Sequence, residues 1–371
     1  MTTLYSCDAW VQAKKRMKIL ADATLPYLHE LFQSKFELSC YHSETELHAL
    51  LPQHDLLLCR STLKVDEELL KHSNLRCVAT ASSGIDHIDT STLVQRGITC
   101  LDAKGCNAHA VADYIVATLA ELQRQGFSLG KKAGVMGYGE VGSRVVKRLQ
   151  ALGYSVLVYD PFIHNMPSNV QKCTLADLAS VDLLCLHPNL HHNAPYASYH
   201  LIDAAFLRSL NPKAIVINAA RGEIIDELAL INHPHRLIYC TDVYHNEPNI
   251  NPDLVKYATL CTPHIAGHSL EAKLKAITVL AQRIHTFADL RPPRCPSIPS
   301  PNLASKFNKA PWQDVVHHLY SPAEDTLILK RSEDKKHAFL TQRKAHQDRH
   351  DFCAYTFEPE DKLTQALLGR S

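Results

Sequence analysis

The chain has 371 residues, of which 46% are hydrophobic and 21% charged, and its formal net charge is +1. This composition excludes a fibrous or disordered protein and is sufficient for two or three domains with apolar cores. The small net charge argues against sequence-independent binding to nucleic acid, so we expect small molecules as partners.

The 12 cysteines occur singly, without C-x-x-C pairs, which favours reduced thiols in a cytoplasmic protein. Because no run of 18 apolar residues exists and residues 1–16 lack a signal-peptide pattern, we expect no membrane segment, and Met17 is a plausible natural start.

The 23 histidines show no metal-binding spacing. His264 and His268 stand four apart, but Pro263 and Gly267 disfavour a regular helix there, so no metal is predicted.

Between Met17 and about Cys100, short apolar segments alternate with helical patterns. KILAD, DLLLC, RCVATA and ITCLD are typical of strands, and YLHELFQSK and DEELLKH are typical of helices. This alternation predicts β-α-β units with a parallel sheet. Residues 109–124, HAVADYIVATLAELQR, have apolar residues at helical spacing and predict a long helix that joins two lobes.

From Lys132 the alternation resumes. We predict helices at 141–152 and near 174–179, and strands at 132–136, 155–159, 183–186, 214–218, 237–241 and 259–261. A further helix, AKLKAITVLAQRIHTFAD, leads into the proline-rich linker RPPRCPSIPSP. A smaller, charged unit follows from about Asn302 to Ser371.

A glycine-rich turn, GVMGYGEVG, follows the strand predicted at 132–136 and begins the next helix. Its glycines match the G-x-G-x-x-G pattern of dinucleotide-binding turns, and Asp160 ends the next strand about 20 residues later. An acid at that position accepts hydrogen bonds from the adenosine ribose of NAD and repels the 2′-phosphate of NADP. The sequence therefore predicts NAD as the cofactor, whereas an isolated glycine pattern also fits a tight turn without a ligand. The residues assigned to this part of the site are Gly137, Gly139, Glu140, Val141, Gly142 and Asp160.

Three polar residues follow later strands of the same lobe. INAARG contributes Arg221, TDVYHNEP contributes Glu247 and CTPHIAGHS contributes His264. Because ligands bind at the carboxyl ends of parallel strands, we expect these residues near the glycine turn. Hydride transfer from a secondary alcohol leaves a proton for a base, and histidine suits that role near neutral pH. We therefore predict His264 as the proton acceptor, Glu247 as its partner and Arg221 as a cation for a carboxylate.

Each of these three residues also has a purely structural interpretation. Arg221 fits a surface ion pair, Glu247 fits an acid in the turn before Pro248, and His264 fits a buried histidine bonded to backbone. Their joint occurrence after successive strands favours the catalytic interpretation.

From Met17 to the C-terminus the chain resembles the D-isomer-specific 2-hydroxyacid dehydrogenases. The segments that carry the resemblance are MKILAD, CRSTLKV, TASSGIDHID, KGCNAHAVADY, GYGEVGSR, INAARGEIID and TPHIAGHSLEAK. The resemblance implies an α/β fold with two Rossmann-like parallel-sheet lobes, in which a flavodoxin-like substrate lobe is interrupted by the NAD lobe, plus a small C-terminal α+β dimerisation domain. The implied domains are 17–108 with 279–300, 109–278, and 301–371.

The resemblance also implies roles for individual residues. Arg221, Glu247 and His264 correspond to the catalytic triad of the family. The NAD site extends to Pro188, Ala219, Asp242 and Gly267. The substrate site comprises Arg60, Ser61, Lys64, Ser82, Ser83, Gly84 and His268. In this set Arg60, Ser61 and Lys64 suit a phosphate, and the backbone N–H groups of residues 82–84 suit a carboxylate.

Within the family the chain is most similar to the branch that oxidises 4-phospho-D-erythronate in pyridoxal phosphate biosynthesis. The tail after Asn302 resembles the dimerisation module of that branch, so we expect a homodimer. The chain departs from that branch at His268, where Tyr is usual, at Pro188, where Thr is usual, and at Asp113, where Glu is usual. The alternatives are a phosphoglycerate or glyoxylate/hydroxypyruvate dehydrogenase, and a non-catalytic NADH-sensing interaction protein.

Overall fold

The computed structural model describes residues 16–346, 348–356 and 361–370, so most of the segment before Met17 lies outside the described residues. The chain divides into two compact units. One contains the residues up to Asp102 together with Ile277–Pro296, and the other contains Ala103–Ala276 together with Ser297–Ser371. Within the described ranges, no helix has the length and apolar character needed to cross a membrane.

The first unit contains a five-stranded parallel sheet with helices between its strands. The strands are β1 (Lys18–Asp22), β2 (Glu37–Tyr41), β3 (Leu56–Cys59), β4 (Cys77–Thr80) and β5 (Thr99–Leu101), in the order β2-β1-β3-β4-β5. The helices are α1 (Leu28–Phe32), α2 (Glu44–Leu50), α3 (Glu67–Leu70) and α4 (Thr90–Gln95). In the central strands Leu20, Leu57 and Val78 are buried in one apolar cluster, because strands covered on both faces favour continuous apolar runs.

The second unit contains a seven-stranded parallel sheet in the order β12-β11-β10-β9-β6-β7-β8. Its strands are β6 (Lys132–Met136), β7 (Ser155–Tyr159), β8 (Gln171–Lys172), β9 (Leu183–Leu186), β10 (Ile215–Asn218), β11 (Ile238–Thr241) and β12 (Leu260–Cys261). The helices up to the last strand are α5 (Ala108–Arg124), α6 (Glu140–Ala151), α7 (Ala204–Ser209), α8 (Glu227–Ile231) and α9 (Pro252–Tyr257). Helix α10 (Leu270–Phe287) begins in this unit, and its residues from Ile277 onward belong to the first unit. The later helices of the second unit are α11 (Trp312–Leu319), α12 (Ala323–Arg331), α13 (Lys335–Ala345) and α14 (Lys362–Leu367).

The predicted α/β class with two parallel sheets is confirmed. Each strand predicted in the second unit differs from the observed strand by at most one residue at either end. The helix predicted near 174–179 is a 3-10 helix at Ala176–Ser180, and β2 was not predicted because it is a half-exposed edge strand without an apolar run. The domain boundaries inferred from the family resemblance stay a prediction.

The C-terminal segment, residues 301–371, differs from the expected α+β composition. Its described residues form helices α11 to α14 and short 3-10 helices, with one isolated bridge between Asn302 and Thr356. Trp312, Val315 and Val316 of α11 belong to the same buried cluster as the apolar residues of α5. In this segment the apolar face of α11 covers α5, and α12 packs against β12 at the edge of the sheet.

Asp113, in the first half of α5, is a buried anchor for this segment. It forms an ion pair with Arg148 of α6 at 2.5 Å, and its Oδ2 accepts a hydrogen bond from the Phe352 N–H at 2.8 Å. Burial raises the pKa of Asp113, although the Arg148 charge and this hydrogen bond favour the ionised form. Because both charges are buried, loss of either partner would leave an uncompensated charge in the core.

Candidate active site

The glycine turn has the backbone geometry that a dinucleotide-binding turn requires. Gly137 has a φ of +84°, and a Cβ at this position would lie 2.7 Å from the carbonyl of His187, so only glycine fits. A Cβ at Gly142 would collide with the Gly137 carbonyl oxygen, which explains the close packing between the turn and α6. A Cβ at Gly139 would meet no atom within 4 Å. The fold itself therefore does not require glycine at 139, and the open space beside it fits the close approach of a pyrophosphate.

Glu140 and Val141 begin α6 directly after this turn. The Glu140 carboxylate pairs with Arg144 at 2.9 Å, and Val141 packs partly buried against the apolar cluster of α5 and α6. The backbone N–H groups at the start of α6 follow Gly139, which is the usual position for a bound phosphate group.

Asp160 directly follows β7, next to the glycine turn. Its Oδ2 accepts a hydrogen bond from the Tyr138 N–H at 2.8 Å, and its Oδ1 accepts one from the Phe162 N–H at 3.0 Å. Since each carboxylate oxygen has two lone pairs, the half-buried carboxylate keeps acceptor capacity for ribose hydroxyls. These contacts also fix the carboxylate beside the turn, so the residues present fit NAD.

An aromatic surface beside Asp160 was missed in the sequence. The Phe162 side chain is 61% exposed and makes edge-to-face contacts with His191 at 5.6 Å and Tyr196 at 5.9 Å between ring centroids. These residues lie in the loops after β7 and β9, which flank β6 in the sheet. Exposed aromatic rings next to Asp160 suit stacking against a planar base. No local sequence signal distinguishes such rings from ordinary surface aromatics.

His264 and Glu247 form a close pair. The distance between His264 Nδ1 and Glu247 Oε2 is 2.6 Å, and Glu247 Oε1 accepts a hydrogen bond from the Tyr244 N–H at 2.9 Å. Burial alone would raise the pKa of Glu247, but the His264 charge, these two hydrogen bonds and the Arg343 charge outweigh it and lower that pKa below its usual range. The carboxylate is therefore ionised and holds the proton of His264 on Nδ1, which leaves the Nε2 lone pair as a base.

The loop that carries His264 is fixed by Asp242, which follows β11. Asp242 accepts hydrogen bonds from the Thr262 hydroxyl and the Ile265 N–H on Oδ1, and from the Ala266 N–H on Oδ2, at 2.7–2.8 Å. Burial raises the pKa of Asp242, against the opposing effects of the His264 charge and these hydrogen bonds. His264 has a φ of +55°, a conformation that costs energy for a residue other than glycine and is common at functional sites. Asp242 thus holds a strained backbone in place.

Arg221 follows β10, two strands from β12. Its side chain is half-buried, and its Nη1 donates a hydrogen bond to the Ala220 carbonyl at 2.7 Å. The Asn218 side chain donates to the Arg221 carbonyl at 2.9 Å, which fixes the backbone of this turn. A Cβ at Gly222 would collide with the Tyr244 carbonyl, so glycine lets the Arg221 loop approach the loop that carries Glu247.

Pro188, Ala219, Gly267 and His268 lie at the same edge of the sheet, in the loops after β9, β10 and β12. A Cβ at Gly267 would collide with the Asn107 side chain. Burial, together with the charges of Arg343, His264, Arg349 and Lys273, lowers the pKa of His268 to about 2. His268 is therefore a neutral imidazole, and its buried Nδ1 has no hydrogen-bond partner within the described residues.

The substrate-binding residues predicted in the first unit lie in loops after β3 and β4, which are neighbours in its sheet. Arg60 Nη1 donates to the Thr24 hydroxyl at 2.6 Å, and Ser61 is exposed. The Lys64 side chain is 80% exposed, and its ammonium lies 2.9 Å from Asp66 Oδ2. The positive charge that the sequence predicts for binding a phosphate is therefore already paired with an acid two residues away. Ser82, Ser83 and Gly84 are half-buried directly after β4.

No group of three or more His, Cys, Asp or Glu side chains suited to a metal ion occurs among the residues that the structure describes. At the edge of the second sheet, the loops after β10, β11 and β12 carry a guanidinium, a carboxylate and an imidazole, namely Arg221, Glu247 and His264.

Comparison with known proteins agrees with this geometry. Residues 117–266 match the family model described as D-isomer specific 2-hydroxyacid dehydrogenase, NAD binding domain. The chain is 46% identical over 354 residues to an erythronate-4-phosphate dehydrogenase of Legionella pneumophila (strain Lens), covering 95% of this chain and 100% of that protein. It is 34% identical to the Cronobacter sakazakii enzyme of the same name, covering 95% of this chain and 97% of that protein.

Among solved structures, an NAD+-bound 3-phosphoglycerate dehydrogenase of Entamoeba histolytica matches with a TM-score of 0.64 and 26% identity, covering 74% of this chain and 96% of that one. The match shows the same kind of fold with NAD bound in that protein. The chain therefore belongs to the D-isomer-specific 2-hydroxyacid dehydrogenase family, and within it to the NAD-dependent erythronate-4-phosphate dehydrogenases.

Proposed function

We propose that this dehydrogenase oxidises the C2 hydroxyl of 4-phospho-D-erythronate to 3-hydroxy-2-oxo-4-phosphooxybutanoate, a step of pyridoxal phosphate biosynthesis. The observation that carries the proposal is the 2.6 Å contact between His264 Nδ1 and Glu247 Oε2, at the sheet edge that also carries the glycine turn. The curated relatives named for this substrate match the chain over 95% of its length, which supports the choice of substrate within the family.

In this mechanism, NAD supplies the hydride acceptor when bound. His264 takes the proton of the C2 hydroxyl on Nε2, while Nδ1 stays bonded to Glu247. The Glu247 carboxylate stabilises the imidazolium that forms, because opposite charges at this separation attract strongly in a partly buried site. Arg221 binds the substrate carboxylate and polarises the neighbouring oxygen, which lowers the cost of charge developing there.

The remaining substrate contacts are assigned by chemistry. Arg60 and Ser61 bind the phosphate, with a smaller contribution from Lys64 because Asp66 already pairs with it. The backbone N–H groups of residues 82–84 add to the binding of the carboxylate, and the neutral His268 donates or accepts one hydrogen bond. NAD is held by the glycine turn, Asp160 and the loops after β9, β10, β11 and β12, which carry Pro188, Ala219, Asp242 and Gly267.

A substrate panel tests this function. With NAD, turnover of 4-phospho-D-erythronate is expected to have the highest kcat/KM, above that of 3-phosphoglycerate, glycerate and unphosphorylated erythronate. Higher kcat/KM for 3-phosphoglycerate or glycerate would assign the chain to another activity of the family. NAD binding without turnover of any of these acids would favour an NADH-sensing protein.

Replacement of Asp160 is expected to change cofactor preference. The parent protein should bind NAD at least roughly tenfold more tightly than NADP, because the Asp160 carboxylate accepts from the ribose and repels a 2′-phosphate. Asp160→Ala should reduce the ratio of the affinity for NAD to the affinity for NADP, as measured by calorimetric titration with each cofactor. Asp253→Ala, which removes an exposed acid in α9, is the matched control and should leave the ratio unchanged. Equal affinity of the parent for NAD and NADP would contradict the assignment.

The protein is further proposed to be a cytoplasmic homodimer. Each of the 11 cysteines in the described residues is free, as expected in a reducing compartment. Leu327 and Ile328 of α12 and Leu340 of α13 are exposed apolar side chains on two adjoining helices. Exposed apolar side chains of this kind suit a symmetric contact with a second copy of the chain.

A further inference from the structure

Helix α13 packs against the loop that carries Glu247. Phe339 is buried, and its ring meets the ring of Tyr244 edge-on, with centroids 6.0 Å apart. Arg343 follows Phe339 by four residues, so both lie on the same face of the helix. Arg343 Nη1 is 4.0 Å from Glu247 Oε2. Phe339 therefore anchors α13 against this loop, and Arg343 directs its guanidinium toward the Glu247 carboxylate.

The oxygen that Arg343 approaches is the one that contacts His264 Nδ1. At 4.0 Å the interaction is electrostatic rather than a hydrogen bond. The Arg343 side chain is 29% exposed, and no hydrogen bond joins it to another residue in the described ranges. Its contact with the pair is the attraction to Glu247, which favours one position and the ionised state of that carboxylate and adds to the larger effects of His264 and the hydrogen bonds. The same guanidinium is also the largest charge effect that lowers the pKa of His268.

The other charged groups around the pair already have separate partners. The Asp242 carboxylate accepts three hydrogen bonds from the His264 loop, and Glu227 accepts one from the His245 N–H. Arg349 donates to the Ala266 carbonyl. Lys273, with its ammonium 3.5 Å from the His346 carbonyl, acts with Arg343 and Arg349 on the neutral His268. Arg343 is the cation placed to offset part of the Glu247 charge.

We propose that Arg343 is a positioning residue for the proton acceptor: its guanidinium holds the Glu247 carboxylate against His264 and balances the charge of the pair. The C-terminal segment then completes the catalytic site as well as covering the core. This inference rests on the proposed function for the role of the pair in proton transfer.

Histidine titration tests the proposal without any need for turnover. In the full-length protein labelled with 13C at histidine Cε1, the His264 signal is assigned by its loss in His264→Asn and followed against pH by NMR. Removing a nearby cation favours imidazolium, so Arg343→Gln and Arg343→Met should raise the titration midpoint by at least roughly half a pH unit. Arg343→Lys should stay near the parent, and Glu247→Gln should move the midpoint downward. Lys344→Gln removes the same charge from an exposed neighbour and is the matched control.

Kinetics supply a second readout. Arg343→Gln should lower kcat about tenfold with little change in KM for 4-phospho-D-erythronate, and should move the midpoint of the pH–rate profile upward. An unchanged His264 titration in a folded Arg343→Gln or Arg343→Met protein would overturn the proposal. A raised KM with unchanged titration would also overturn it, because Arg343 would then bind substrate. If the parent turned over no acid, the proposed function would fail while the titration still decided the role of Arg343.

Discussion

His264→Ala is expected to lower kcat with 4-phospho-D-erythronate at least about 100-fold, the lower bound for loss of a general acid-base group. The Glu247 carboxylate that orients the imidazole would remain, but no group at this position could take the hydroxyl proton. Affinity for NAD should change little, because the glycine turn and Asp160 lie after β6 and β7, at the other side of the sheet from β12. Steady-state kinetics and titration with NAD measure the two quantities separately.

His337→Ala is the matched control, since it removes an exposed histidine of α13 away from this pair. It should retain turnover close to that of the parent. Near-normal turnover of His264→Ala would reject His264 as the proton acceptor and favour its interpretation as a structural histidine. A large loss of NAD affinity in His264→Ala would indicate instead that the loop after β12 had rearranged.

Both parallel sheets can be predicted from the sequence because their central strands are short apolar runs bounded by turn residues. LLLC in β3 and LLCL in β9 are buried at every position. The edge strand β2, ELSCY, is half-exposed and carries alternating polar residues, so no apolar run marks it. Helices α11 and α14 bury apolar residues in the cluster shared with α5, whereas α12 and α13 bury Leu329 and Phe339 in the other cluster of the second unit. The spacing of Trp312, Val315 and Val316 is typical of a helix, but the α+β expectation for this segment came from the family resemblance and not from that spacing.

The placement of the predicted site residues in the second unit follows from topology. Parallel strands bring their carboxyl ends to one edge, so Asp160, Asp242 and His264 could be grouped without knowledge of distances. Their individual roles stay predictions. Arg343 and Phe162 could not be found in this way, because their positions depend on how a distant helix and two loops pack. Asp66 follows Lys64 by two residues, and its negative charge is the sequence feature that indicates a local partner for Lys64.

Removal of all residues after Ser300 is expected to abolish folding of the second unit. Seven deleted side chains are buried in the cluster shared with α5 and α6, namely Trp312, Val315, Val316, Tyr320, Phe352, Leu367 and Leu368. At about 1.5–3 kcal/mol for each large apolar side chain, their loss is on the order of 10 kcal/mol. That loss is comparable with the whole unfolding free energy of a domain, about 5–15 kcal/mol. The truncated protein should therefore aggregate.

Light scattering and circular dichroism of three proteins separate the core role of this segment from its proposed role in assembly. The intact chain should scatter with twice the mass of one chain. Leu340→Lys changes an exposed side chain of α13, so it should give a folded monomer. A truncated chain that stayed folded would show that the second unit folds without the C-terminal segment packed against α5. A dimeric truncated chain, or a dimeric Leu340→Lys protein, would place the contact between copies away from the exposed apolar side chains of α12 and α13.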